Sequence, residues 1–163
     1  MKSTIRNLQS SISNLVSRGT VSGVDATGKM QRIQGSILAG ENKGGLEHFE
    51  PYGFTSNPVP GAEFVPVFLE GDRSHGVVIV AADRRYRVTG LPAGGIAIGT
   101  PGNSIIFNPD GTITLSTATL TINAPHINSA GTWAHTGELT ANGKSLPHHV
   151  HVDPQGGSTA QPT

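Results

Sequence analysis

Cysteine is absent from the 163-residue chain, so disulfides and a cysteine nucleophile are excluded, and folding in a reducing cytoplasm is accommodated. Charge is scarce too: Asp, Glu, Lys and Arg together make 13% of the residues, 11 basic against 11 acidic, for a formal net charge of +0 at pH 7. A neutral chain offers no basic footprint for nucleic acid. Long amphipathic helices need charged outer faces, and this composition does not supply them. Long apolar runs are missing as well. The longest, Gly76-Val-Val-Ile-Val-Ala-Ala82, is too short to cross a bilayer as a helix, and the N-terminal Met-Lys-Ser-Thr-Ile-Arg has no apolar stretch of the signal-peptide kind. These absences point to a soluble protein made in the cytosol. Catalytic signatures are lacking in turn: there is no Gly-x-Ser-x-Gly elbow, phosphate loop or His-Glu-x-x-His. Gly71-Asp-Arg-Ser-His75 sets Asp, Ser and His side by side, but triads are assembled across a fold, so this run reads as a hairpin turn. No stretch is left to house a paired-carboxylate cleft. The expectation is a protein that is not an enzyme and takes no small-molecule substrate.

What the chain does have is glycine (22) and proline (11), the punctuation of turns between short strands. The segment 1–18 stands apart. Ile5, Leu8, Ile12 and Leu15 fall three, four and three apart, an apolar stripe that predicts a short helix capped by Ser3 or Thr4 and ended by Gly19. Two heptads are not stable alone, so the stripe packs either on its own domain or in an inter-subunit coil.

Residues 19–88 read as an all-β domain. Strands are expected over 21–24, 31–38, 64–69 and 76–81. Turn clusters separate them at Asp25-Ala-Thr-Gly28, Gly40-Glu-Asn-Lys-Gly-Gly45, Asn57-Pro-Val-Pro-Gly61 and Glu70-Gly-Asp-Arg-Ser-His-Gly76. Several short strands in some seventy residues suggest a small closed barrel, best matched by a five-stranded OB type. His48 and His75 fall in the turns of that domain.

Over 89–146 the character changes. Short alternating stretches follow one another: Gly95-Ile-Ala-Ile-Gly99, Ser104-Ile-Ile-Phe107, Thr112-Ile-Thr-Leu-Ser116 and Leu120-Thr-Ile-Asn123, with sparser ones around Ile127, Trp133 and Leu139. Ile113, Leu115, Leu120 and Ile122 lie on the side opposite Thr and Ser. One chain has too few such residues to bury that face; three chains wound about a common axis bury it among themselves, which predicts an intertwined, trimeric β-helix shaft. An ordinary second antiparallel domain is the alternative, with a core that would be weak at this size.

The segment 147–163 carries the one cluster with chemistry: Pro147-His-His-Val-His-Val-Asp-Pro154. In an extended chain His149 and His151 point one way, His148 and Val150 the other. Two histidines per chain on a three-fold axis make six imidazole nitrogens in two stacked triangles, an octahedral shell. That shell suits Fe(II), Ni or Co better than tetrahedral zinc, and availability favours iron. A one-residue shift of register would bring in His148 instead. His126 and His135 stand singly and read as surface or packing residues. The glycines after Pro154 leave room for a tight reversal of the chain.

Tyr52-Gly-Phe-Thr-Ser-Asn-Pro-Val-Pro-Gly-Ala62, then Gly71-Asp-Arg-Ser-His-Gly-Val-Val-Ile-Val-Ala-Ala-Asp83 and Arg85-Tyr86, resemble the baseplate assembly protein V, or Mu-type central tail spike, family of contractile-tail phages. The resemblance extends over the whole order of segments. It implies a homotrimeric, membrane-piercing spike in the virion, assembled in the host cytoplasm, whose OB barrels meet the baseplate hub and whose apex punctures the host outer membrane. It also implies an iron ion held by His149 and His151 of each chain. Calcium and chloride are implied near the apex, with no ligands assignable in this sequence. Two other readings stay open: a receptor-binding or adhesive tail module, and the spike of a related secretion or tail-like injection system.

Overall fold

The computed structural model describes residues 5, 9, 12–38, 40–152 and 154–160. It is all-β apart from a few helical residues near the N-terminus and one 3-10 turn. Half of the segment 1–18, where the helix is expected, lies outside the described residues, including Ser3, Thr4 and Leu8. Ile5, Gln9 and residues 12–14 are helical, and the Ser13 hydroxyl donates to the Gln9 carbonyl at 2.8 Å. The chain is already extended at Val16, which bridges Val67, so the change of conformation comes ahead of Gly19.

Five strands close a barrel: β1 (Gly19–Asp25), β2 (Arg32–Leu38), β3 (Glu41–His48), β4 (Glu63–Phe68) and β5 (Gly76–Ala82), in the order β1-β2-β3-β5-β4 with β4 returning to β1. All contacts are antiparallel except β3 with β5. This is the OB-like barrel the turn spacing predicts. Alternation explains its walls. In β2, Ile33, Gly35 and Ile37 point inward between exposed neighbours, and β4 buries Phe64, Pro66 and Phe68. With Val21, Leu46, Ala62 and Val78 they make the core. Phe64 fills its centre by lying over two glycines: a Cβ at Gly19 or at Gly35 would fall 2.5 Å from the ring. Those glycines are needed for close approach rather than for backbone freedom.

The fifth wall differs from the sequence expectation. Residues 40–45, read as a turn, mostly belong to β3, because Glu41, Asn42 and Lys43 pair with β2; β5 pairs with the strand only at Glu47 and His48. Its hydrogen bonds come from those neighbours, and that tertiary pairing overrides weak local propensity.

The chain divides into two compact units, 1–120 and 121–163. The first also holds an antiparallel meander of β6 (Ile96–Thr100), β7 (Asn103–Phe107) and β8 (Ile113–Ser116). Its register stacks Ile96, Phe107 and Ile113 in one row and Ile98, Ile105 and Leu115 in the next. Directly paired residues share a face, so six large apolar side chains form one continuous surface. Each of the six is between 37% and 64% exposed, so no described residue covers them fully. The other side carries Ala97, Ile106 and Thr114. Residues 120–123, which share the alternation, form no strand within one chain, and Leu120 and Ile122 remain exposed.

The second unit holds the hairpin of β9 (Thr140–Ala141) and β10 (Lys144–Ser145). Asn142 and Gly143, with φ of 50° and 73°, form its two-residue turn. Asn-Gly is the pair that tolerates left-handed backbone at both positions.

Candidate metal centre in the C-terminal segment

The hairpin delivers the histidines. Leu146 extends it, its N–H donating to the Leu139 carbonyl at 2.8 Å. The next residues turn: the His148 N–H donates to the Ser145 hydroxyl at 3.0 Å, and His149 Nδ1 lies 2.8 Å from the Leu146 carbonyl. A carbonyl only accepts, so that contact puts the proton on Nδ1 and leaves the lone pair on Nε2. The His149 and His151 rings stand together, centroids 5.0 Å apart and planes at 87°. Metal–nitrogen bonds are about 2 Å long, so rings this close can both reach one ion. A carbonyl bond at Nδ1 is also the usual way a protein orients a metal-binding imidazole through Nε2. The donors therefore fit an imidazole-bound metal. Among the described residues no cluster of three or more His, Cys, Asp or Glu that could hold an ion occurs within one chain.

After the pair the chain reverses. Val152 bridges Ser158 antiparallel, and Gly156, at φ 85°, lies in the intervening turn. Thr159 grips His151 at both backbone atoms: its hydroxyl accepts from the His151 N–H at 2.9 Å, and its N–H donates to the His151 carbonyl at 2.8 Å. The reversal was legible in the glycines; the Thr159 contact was not, since it joins residues eight apart across a turn of unknown length.

His148 turns to a different partner, its Nε2 lying 3.7 Å from a Glu138 carboxylate oxygen. His135 Nε2 is 3.2 Å from the Glu138 carbonyl. His126 is exposed and stands away in sequence from the pair.

The barrel histidines occupy different settings. His75 is in the turn expected of it, its N–H donating to the Asp72 carbonyl at 3.0 Å. Within that turn the Asp72 carboxylate accepts from the Ser74 hydroxyl at 2.7 Å and the Ser74 N–H at 2.8 Å. Those bonds hold its carboxyl below the usual range. They are the bonds of a turn, and Arg73 leaves it to stack over the Phe68 ring at 4.7 Å. His48 is not in a turn: it ends β3 and is buried. Gln31 spends its amide N–H on the Ser56 carbonyl at 2.8 Å, so its Oε1 accepts from His48 Nδ1 at 3.0 Å. Glu50 closes the network, accepting from the Thr55 hydroxyl at 2.8 Å and the Ser56 N–H at 2.6 Å. The loop after β3 is thereby tied to the barrel.

Burial lowers the pKa of His48 below its ordinary 6.5, an effect Glu50 partly offsets. The folded barrel thus binds this proton less well than the unfolded chain. The stability contributed by neutral His48 is complete above pH 6.5 and is lost as pH falls from there through the lower folded value. The urea midpoint of the barrel is expected to drop over that window, ahead of the carboxylates, which titrate below 4.5. His48→Gln should flatten the dependence; a slope that persists in the variant would assign it elsewhere.

The family described as Bacteriophage Mu Gp45, N-terminal, matches residues 18–85, the barrel with its flanks. The baseplate puncturing device gp45 of Escherichia phage Mu is 28% identical, over 89% of this chain and 87% of that protein. The Mu-like prophage FluMu protein gp45 of Haemophilus influenzae is 29% identical, over 96% of this chain and 83% of that protein. Both alignments run well beyond the barrel, so the chain is similar to Mu-type baseplate proteins over most of its length.

Proposed function

We propose that this chain is the structural, non-enzymatic spike at the tip of a contractile phage tail baseplate, and that it punctures the outer membrane of the host cell. The observation that carries the reading is the similarity, over 89% of the chain, to a baseplate puncturing device. The apolar face of β6–β8 supplies the physical part. A chain that leaves six large apolar side chains uncovered on one sheet needs partners, and three copies around an axis bury that face and hide the sheet edges together. On this reading the barrels sit at the baseplate hub, residues 89–146 form a three-chain β-helix, and 147–163 form the apex.

At the apex His149 and His151 from three chains would hold one ion in six-fold nitrogen coordination, best suited to iron. Bound there, the ion is a cross-link with no open position for a substrate. A needle fails first where chain ends fray, and ligation from three chains ties those ends in the assembled state only. The work of penetration comes from the tail; the spike has to transmit load without unravelling.

The test is a particle assembled without this protein or with its C-terminal segment disrupted. Such particles are expected to adsorb to cells at the normal rate and to fail at genome delivery. Loss of adsorption instead would replace the puncturing role with an adhesive one.

A further inference from the structure

The backbone of His151 is held by the returning tail, and this has a consequence for the metal pair. Between Pro147 and Val152 the chain is short of regular pairing, and a segment of that kind ordinarily loses its shape near a terminus. Here each ligand has its own fixing contact. The Leu146 carbonyl sets the ring of His149 through Nδ1, and Thr159 takes both the N–H and the carbonyl of His151. The Val152–Ser158 bridge continues the same two-stranded pairing by one residue.

We propose that the return segment 154–160 is a clamp that shapes the His149–His151 edge before any ion arrives, with Thr159 as its positioning residue. The inference rests on the metal-bound apex proposed above but is separable from it. Ordering two imidazoles on a loose terminus would be charged against binding, whereas a preformed edge binds without that cost. The specific demand falls on the Thr159 hydroxyl, the acceptor for the His151 N–H. Valine has the same shape and no acceptor; serine keeps the oxygen. Gly156 makes an independent demand, because φ of 85° is strained for a β-branched residue and Gly156→Val would open the turn without touching either histidine.

The experiment uses the full-length protein with Thr159→Val, Thr159→Ser and Gly156→Val. In chelator-treated protein, amide exchange in the peptide containing His151 should quicken about tenfold or more in Thr159→Val and Gly156→Val, and match wild type in Thr159→Ser. With Fe(II) restored, release to a competing chelator should quicken by about ten- to a hundredfold in the same two variants. Exchange in β1–β5 should be unchanged in all three. Exchange at His151 identical in Thr159→Val and wild type would overturn the clamp. A wild-type protein that takes up no metal, yet shows the exchange difference, would remove the metal reading and leave the clamp standing.

Discussion

Leu115→Asp is expected to leave the chain monomeric, while Thr114→Asp, one residue away, leaves it trimeric. The two positions differ in face alone. Leu115 stands in the row with Ile105 and Ile98, on the uncovered apolar side of the meander; Thr114 is paired with Ile106 on the other side. Leu115 is 45% exposed in the single chain, so about half of its surface remains to be buried by neighbouring copies. That half contributes only about 1 kcal/mol per chain. The carboxylate matters more. Burying an unpaired charge costs several kcal/mol, and a three-fold axis brings three of them together, so assembly loses on the order of 10 kcal/mol. Sedimentation equilibrium reads the outcome directly as one or three times 16.9 kDa. The barrel provides the folding control, since its core of Phe64, Phe68, Ile33 and Val78 contains no residue of the meander. A trimeric Leu115→Asp protein beside a monomeric Thr114→Asp protein would mean that the other face is inward. Two trimeric variants would remove the meander from the assembly altogether. The same reasoning extends to Ile113, in the adjoining row, and to Leu120 and Ile122, which are exposed and form no strand within one chain.

How far such a molecule can be read from its sequence depends on where each strand finds its partners. β2 and β4 alternate buried and exposed positions without a break, so Ile33, Ile37, Phe64 and Phe68 announce an inner wall. β3 does not. Its first five residues, Glu-Asn-Lys-Gly-Gly, carry the signal of a turn, and only Leu46 and His48 reach the core. What makes those residues a strand is hairpin pairing with β2, through Lys43, Asn42 and Glu41, while β5 pairs only with Glu47 and His48 at the far end. His48 went astray with it, because its burial depends on that closure. The meander shows the opposite case. Its alternation over Ile96, Ile98, Ile105, Phe107, Ile113 and Leu115 is plain in the sequence, and the register aligns all six on one side. The sequence also signals that these residues are too few to form a core alone. The histidine pair was visible from its i, i+2 spacing. Thr159 and the Leu146 carbonyl were hidden because one depends on a reversal and the other is backbone, common to every residue type.

Loss of either His149 or His151 is expected to deplete the apex of metal while the trimer survives. The count carries the argument. Two rings 5.0 Å apart on one chain give two donors, and three chains give six; removing one residue type removes three donors at once. Three nitrogens hold Fe(II) much more weakly than six, so His149→Ala and His151→Ala should each fall well below one ion per three chains. The assembly does not depend on the ion in the same way. A ligand at a thousandfold over its Kd adds about 4 kcal/mol to the state it binds, enough to shift melting but small beside the apolar core proposed for three chains. Metal-free protein should therefore sediment as a trimer with a lower melting temperature. His148→Ala should keep its metal, since the Nε2 of His148 lies 3.7 Å from a Glu138 carboxylate oxygen. X-ray absorption on the wild type should show six nitrogen neighbours and, with no cysteine in the chain, no sulfur from that source. Metal lost with His148 and kept with His149 would mean a register moved by one residue. Four ligands at one ion per chain would mean that the site is built within single chains, and the three-chain apex would have to be abandoned.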